Sequence, residues 1–433
     1  MKLLVFAHTP PPHHGQSYMV QLMLAGFGGD RRKSSRRADS EAGGPNGESF
    51  GIDCYHVNAR LSQKLEDIGD LRIGKFFLLL GYCAQAVWCR FRYGVTTFYY
   101  VPAPGKRSAL YRDWFVMLLC RRFFKRVILH WHAAGLAKWL ETMVQLRSRS
   151  LTYHFMKQVD LSIVLSRYNR ADAEKLISRQ IRVVSNGIPD PCPDFARQVL
   201  PLRQARFAAR KKLLSGEALT EDESRAAGGD AQVVKVLYLA HCTREKGLFD
   251  TMAGVNLANE HLRKRRSSLS LRLLVTGNFV TEEEKAEFDR LLARPHAAET
   301  IQYLGFVFGE QKHRLLREAD LFCFPTYYEN ENQPVNLIEA MAFGLPILTT
   351  RWRSIPELFP ANYGGLVEIR SPDQIARALL GLLTSEAGEG FHDIFLRDFT
   401  LERHLSGLAE AFKQVEQAGP ATVAAEATRA LPR

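Results

Sequence analysis

The 433-residue chain predicts an α/β protein of two Rossmann-like, parallel-sheet domains facing each other across a cleft. Three observations carry this. Short apolar runs alternate with longer helical stretches in both halves of the chain. A stretch rich in Pro, Gly and charge, residues 191–230, separates the two alternations. Near the C-terminal end, Leu321-Phe-Cys-Phe-Pro325, the polar loop up to Glu331 and an apolar helix-forming run follow one another as strand, loop and helix. Ligands of such sheets bind at the carboxyl ends of the strands, so the expected site lies between the domains.

The elements follow in order. Residues 1–7 read as a buried strand, followed by a Pro-rich loop and a helix from Tyr18 to Phe27. Residues 28–51 are polar and Gly-rich, and read as a mobile insertion in the first domain, residues 1–190. Val95 to Val101, Arg126 to His130, Leu161 to Leu165 and Ile181 to Ser185 are strand-like, with a long helix over Ser108 to Phe124. Asn186-Gly187 closes this half with a turn. Residues 191–230 read as a linker with some helix. The second domain, 231–395, has strand-like runs at Val233–Leu239, Leu271–Thr276, Ile301–Leu304, Leu321–Phe324, Pro346–Thr350 and Gly365–Glu368. Residues 396–418 are expected to form a helix that returns to the first domain, and 419–433 a disordered tail.

Composition narrows the function. Seven scattered cysteines without a C-x-x-C pair indicate neither a zinc ribbon nor a disulfide framework, which predicts a reduced, cytoplasmic setting. The first apolar run is too short for a signal peptide, and Phe76 to Trp88 is too short to span a bilayer. The net charge of +12 is concentrated: residues 1–190 carry 28 Lys and Arg against 14 Asp and Glu. A solvated basic surface is the plain reading. Attraction to an anionic membrane surface or a pyrophosphate-linked acceptor is the sharper one, placing the protein peripherally at the inner face of a membrane. The helix ending Leu-Cys-Arg-Arg-Phe-Phe-Lys-Arg126 reads first as a packed helix with a solvated end and second as a membrane-facing one. No nucleic-acid module is recognisable, so nucleic acid is not an expected partner.

The sharpest chemical signal is a pair of acids, Glu331 and Glu339, with seven residues between them. Pro334 marks a helix start and Gly344-Leu-Pro346 its stop. One acid then precedes the helix N-terminus and the other lies about one turn inside. Backbone N–H groups near Asn336 and Leu337 lack intrahelical partners and sit at the positive end of the dipole. Such a terminus suits a phosphate. A carboxylate on each side suits hydroxyl groups. Phosphate flanked by hydroxyls describes a nucleotide sugar.

The segment Glu331-Asn-Gln-Pro-Val-Asn-Leu-Ile-Glu339 resembles the E-x7-E signature of retaining glycosyltransferases of family 4, which have the GT-B fold. The resemblance is dense over residues 233–370 and fainter, but ordered, over 1–190. It implies that Glu331 faces the donor sugar and the reacting carbon, and that Glu339 holds the ribose. Lys246-Gly247 matches the family's phosphate-binding loop; His241 stands where that loop has arginine, with Arg244 a candidate substitute charge. Gly15, after the first strand, matches a glycine that lets the backbone pass close to the donor phosphates, with Gln16 in place of a second glycine. His132, with His130 as the alternative on the same strand face, matches a cleft histidine. Leu304-Gly-Phe-Val307 matches the loop that meets the nucleotide base. Ser166 and Asn186-Gly187 support the alignment, and Arg353 replaces a frequent glycine.

The resemblance therefore implies sugar transfer from a nucleotide-diphosphate donor to a saccharide or lipid-linked acceptor, in polysaccharide or glycoconjugate synthesis, without a metal cofactor. His130 and His132 would also permit a metal, but no acidic third ligand has matching spacing. Two other readings keep the fold: a catalytically weakened nucleotide-sugar-binding or scaffold protein, supported by His241 and Gln16, and a nucleotide-sugar epimerase, which the acid pair fits less well.

Overall fold

Each half of the chain folds around a six-stranded parallel sheet. The computed structural model describes residues 1–11, 14–34, 50–61, 73–102, 105–295, 297–384 and 388–417. The first sheet contains β1 (Lys2–Ala7), β2 (Asp53–Asn58), β3 (Thr97–Tyr100), β4 (Arg126–Trp131), β5 (Leu161–Val164) and β6 (Ile181–Val183), in the order β2-β1-β3-β4-β5-β6. The second contains β7 (Val233–Leu239), β8 (Ser270–Thr276), β9 (Ile301–Gly305), β10 (Leu321–Phe324), β11 (Ile347–Thr350) and β12 (Leu366–Val367), in the order β12-β11-β10-β7-β8-β9. Central strands such as β3, β5, β10 and β11 are buried at every position, as parallel strands covered by helices on both faces must be.

In the second sheet, the chain runs outward from β7 to β9 and then returns to the other side with β10, paired Leu321 to Val236. This reversal opens a crevice at the carboxyl ends of β7 and β10, where parallel sheets take ligands. The loops carrying Lys246 and Glu331 leave these two strands.

Among the described residues, three apolar clusters hold the halves together. One fills the second domain. The first sheet has a cluster on each face, one with the Ile73–Tyr93 and Arg107–Cys120 helices, the other with the Gly15–Gly26 helix. The Leu401–Gln417 helix belongs to that latter face. Its Leu405, Leu408 and Phe412 are buried there, and Ser185 O accepts from His404 Nδ1 at 2.6 Å. This last described helix thus closes the first domain.

The structure differs from the sequence reading at several points. The first helix begins at Gly15, because His14 caps it. Strand β2 and the Ile73–Tyr93 helix had no sequence assignment; of the latter only the apolar stretch was noted. The linker reading of 191–230 needs correction. Cys192, Phe195, Val199, Leu213 and Ala227 join the second domain's core. On the Leu200–Leu214 helix, Arg203 donates to Phe343 O and Ala319 O, while Arg210 pairs with the buried Asp320 at 2.8 Å. This segment is a buttress of the second domain. Of the 28–51 stretch, residues 35–49 lie outside the described residues, as do 418–433. The described flank is tied down by Arg31–Asp53 and Arg32–Asp30 pairs.

Candidate active site

The second-domain wall is assembled by two loops that pack against each other. After β7 the chain reaches Gly247, with φ +81°, where a Cβ would lie 2.4 Å from Pro325 O. Only glycine allows this approach. Tyr327 N donates to Glu245 O at 2.8 Å, lacing the β7 and β10 loops together. The result is that Lys246 Nζ donates to Glu331 Oε2 at 2.6 Å, and Thr326 Oγ1 donates to the same oxygen at 3.0 Å. Lys246 also lies 4.5 Å from the centre of the Tyr328 ring. Glu331 is buried, so its charge relies on these partners.

The Val335–Ala342 helix supplies the next part. Pro334 occupies the cap position itself, with ψ 125°, rather than the first helical turn, and its side chain makes no capping hydrogen bond. The first-turn N–H groups of Asn336 and Leu337 are therefore presented without a side-chain cap. Asn336 Nδ2 donates to Leu239 O at 2.8 Å, which pins the helix start to the end of β7, while its buried Oδ1 has no partner among the described residues. Leu337 points into the core. Glu339, one turn further, accepts from Lys312 Nζ at 2.5 Å. Lys312, on the Gly309–Glu318 helix, had no role in the sequence reading; its only sequence signal is a lysine one helix before the acid pair.

The first domain faces this wall. A Cβ on Gly15 would meet Val335 Cγ2 at 3.7 Å, so the N-termini of two helices from opposite domains meet across the cleft. His132 follows β4. Its ring centre lies 4.2 Å from that of His130, which confirms their common strand face. The two then differ. His130 Nδ1 is bonded to Tyr99 OH at 2.6 Å, deep in the core. His132 sits above it, its pKa pushed down to about 3 by burial, then by His404 and His14. It is a neutral imidazole whose buried Nε2 has no hydrogen-bond partner among the described residues.

Arg244, the candidate substitute charge, is engaged within its own domain. Its backbone N–H donates to Glu284, its guanidinium pairs with Glu287, and it lies 4.7 Å over the Phe249 ring. His241 is held neutral by burial and then by Lys246, so it supplies a hydrogen-bonding edge and no charge. Val307 is buried, with Phe306 and Phe308 exposed beside it, their rings 6.2 Å apart. Arg353 takes a glycine-like φ of +50°, consistent with its replacing a glycine, and its guanidinium lies against Gly135.

A polar seam joins the domains next to Glu331, and sequence reasoning missed it. Asn332 Nδ2 donates to Asn169 Oδ1 at 2.5 Å, and Gln333 Oε1 accepts from Asn186 N at 2.5 Å. Glu357 accepts from the N–H groups of Arg167 and Tyr168 at 2.8 and 2.6 Å. Ser166 Oγ donates to Asn332 Oδ1 at 3.5 Å, so Ser166 and Asn186 both meet residues adjacent to the first acid.

The family model described as Glycosyl transferases group 1 matches residues 236–385, the stretch that carries Lys246, Glu331 and Glu339. The second domain is a group 1 glycosyltransferase domain. Curated relatives agree with it. An amylovoran biosynthesis glycosyltransferase of Erwinia amylovora is 28% identical over 156 residues, 35% of each chain. A putative colanic acid biosynthesis glycosyltransferase of Salmonella typhimurium is 26% identical over 203 residues, 46% of each. The match thus spans between a third and a half of these relatives. Solved structures cover far more. Sucrose-phosphate synthase of Thermosynechococcus elongatus aligns with 96% of this chain and 99% of its own, at TM-score 0.62 and 16% identity. Anabaena HepE, in complex with UDP, aligns with 96% and 100%, at 0.58 and 14%. These likenesses give the chain the GT-B fold over 96% of its length, beyond the group 1 domain.

Proposed function

We propose that the chain is a retaining hexosyltransferase, of the family 4 type, that moves a sugar from a nucleotide diphosphate to a saccharide or lipid-linked acceptor in polysaccharide synthesis. The observation that carries this is the Lys246–Glu331 pair beside an uncapped helix N-terminus at the β7/β10 crevice. Lys246 and the N–H groups of Asn336 and Leu337 would hold the diphosphate, Glu339 the ribose hydroxyls, and the loop at Val307 the base. His241 would add a hydrogen bond. Glu331 would face the sugar, with Gly15 and His132 opposite.

The chemistry follows from charge. As the bond from the sugar C1 to the phosphate oxygen breaks, negative charge grows on the diphosphate and positive charge on the sugar ring. Lys246 and the helix N-terminus are fixed opposite the first charge, and the Glu331 carboxylate lies near the second. The acceptor oxygen bonds to C1 on the same face, and its proton passes to the departing phosphate oxygen. The neutral His132 imidazole is suited to a sugar hydroxyl. This reading takes no metal ion.

The lipid-linked acceptor would bring the enzyme to an anionic membrane surface on the cytoplasmic side. The seven free, buried cysteines fit that compartment. Among the described residues no helix is long and apolar enough to cross a membrane.

Because HepE was solved with UDP, UDP-sugars are the first donors to test. Binding and slow hydrolysis of one nucleotide sugar, with the anomeric configuration of the product preserved by NMR, is the expected result. Silence with uridine, guanosine and adenosine diphosphate sugars alike would sink the enzyme reading. Binding without hydrolysis or transfer would favour a nucleotide-sugar-binding protein, which the neutral His241 and diverted Arg244 also suit.

A further inference from the structure

The Ile73–Tyr93 helix buries one side and leaves an apolar row on the other. Leu79, Cys83, Ala86 and Cys89 face the core of the first domain. On the opposite side, positions 77, 81, 84, 88 and 91 repeat at helical spacing and read Phe, Gly, Ala, Trp and Phe. All five are exposed, Phe77 by 66%, Trp88 by 54% and Phe91 by 68%. Phe76 and Leu78 extend the row at its start. Singly exposed apolar side chains are ordinary; a row about 21 Å long calls for a partner.

Charge says which partner. Residues 73–140 contain eleven Lys and Arg and one acid, Asp113. That acid is buried, and it accepts from Tyr100 OH and Arg112. Arg92 is exposed beside Phe91. Phe123 contacts Phe91 at 6.1 Å between ring centres, with the exposed Arg122 5.0 Å over the Phe123 ring. The neighbouring Arg107–Cys120 helix exposes Tyr111 and Leu118 between Arg107 and Arg122. A second copy of this chain would set cations against cations. A neutral apolar partner would leave them without counter-charges.

We propose that this face docks on an anionic lipid bilayer, with Phe77, Trp88 and Phe91 entering the headgroup boundary and the flanking arginines meeting lipid phosphates. The face is linked to the cleft. Tyr82 OH donates to Arg60 O at 3.1 Å, and Arg60 donates to Pro10 O at 3.3 Å, in the loop that leads to Gly15. On the reading of a lipid-linked acceptor, the docked helix is thereby tied, through Arg60, to the loop that enters the first-domain wall of the cleft.

The test is flotation of the full chain with phosphatidylcholine vesicles and with vesicles containing about 30% phosphatidylglycerol. Binding is expected to the anionic vesicles only and to weaken as salt rises. Phe77→Ser/Trp88→Ser/Phe91→Ser should lower the partition by about tenfold or more, since each ring contributes buried apolar area. Arg92→Glu/Arg122→Glu should lower it as well. Melting temperature and circular dichroism should match the parent, because all five side chains are exposed. No donor is needed, so the outcome is separate from that of the transfer assays. Parent protein that ignores anionic vesicles, or a triple variant that binds like the parent, overturns the proposal. So does a parent that light scattering finds dimeric and a triple variant found monomeric, which would assign the face to a second copy.

Discussion

Lys246 Nζ and Glu331 Oε2 stand 2.6 Å apart, although 85 residues separate them in the chain. The pair joins the phosphate-binding and sugar-binding sides of the proposed site. Lys246→Ala should weaken UDP binding by about tenfold or more, because a hydrogen bond to a charged group contributes about 1.5–3 kcal/mol. Calorimetric titration measures this, and an unchanged Kd would remove Lys246 from the donor site. Glu331→Gln should instead leave UDP affinity within about threefold and reduce transfer by about a hundredfold, as loss of a charge opposite the reacting carbon predicts.

Glu339 is paired with Lys312 at 2.5 Å one turn inside the helix. If it holds the ribose, Glu339→Ala should weaken UDP by about tenfold and leave inorganic pyrophosphate unaffected, in line with the loss of a charged hydrogen bond. Equal weakening of both ligands would mean that the carboxylate shapes the helix N-terminus instead.

Arg244 offers a contrast. Its guanidinium is exposed and engaged with Glu287. Arg244→Ala should change UDP affinity by less than about twofold and stability by less than about 1 kcal/mol, the usual range for an exposed ion pair. A tenfold loss of affinity would show that the side chain swings to the phosphates when donor binds.

The histidines predict acid sensitivity. Burial holds His132 near a pKa of about 3 and His404 near about 4. In the unfolded chain both imidazoles titrate near 6.5, so below that pH the unfolded state takes up protons the folded state refuses. Their contribution to stability is complete above about pH 6.5 and falls with pH down to about 3–4, by up to about 1.4 kcal/mol per unit for each. Thermal melts at pH 7.5 and 5 should differ accordingly, and His404→Gln should flatten the decline. A melting temperature unchanged over this range would contradict the assignment.

Legibility in the sequence depended on how local each signal was. The second domain was readable because short apolar runs form its strands and because Pro334 and Gly344 mark a helix boundary within one segment. The Ile73–Tyr93 helix was not read as one, since an apolar exposed face hides the periodicity that marks a surface helix. The Leu200–Leu214 buttress looked like a linker because its arginines are charged. Only the fold reveals that they reach backbone carbonyls and Asp320.

By itself, the sequence determined the two parallel-sheet domains, the acid pair with seven residues between its members and the Lys246-Gly247 loop, because each is written in neighbouring residues. Tertiary structure decided what no spacing encodes. It set Lys246 on Glu331, gave Lys312 to Glu339, turned Arg244 to Glu287, and placed Asn332 and Gln333 on the first domain. The physical reason is that a side chain's direction follows from the packing of loops drawn from distant strands. At the carboxyl ends of β7 and β10, that packing depends on a glycine with room for no Cβ.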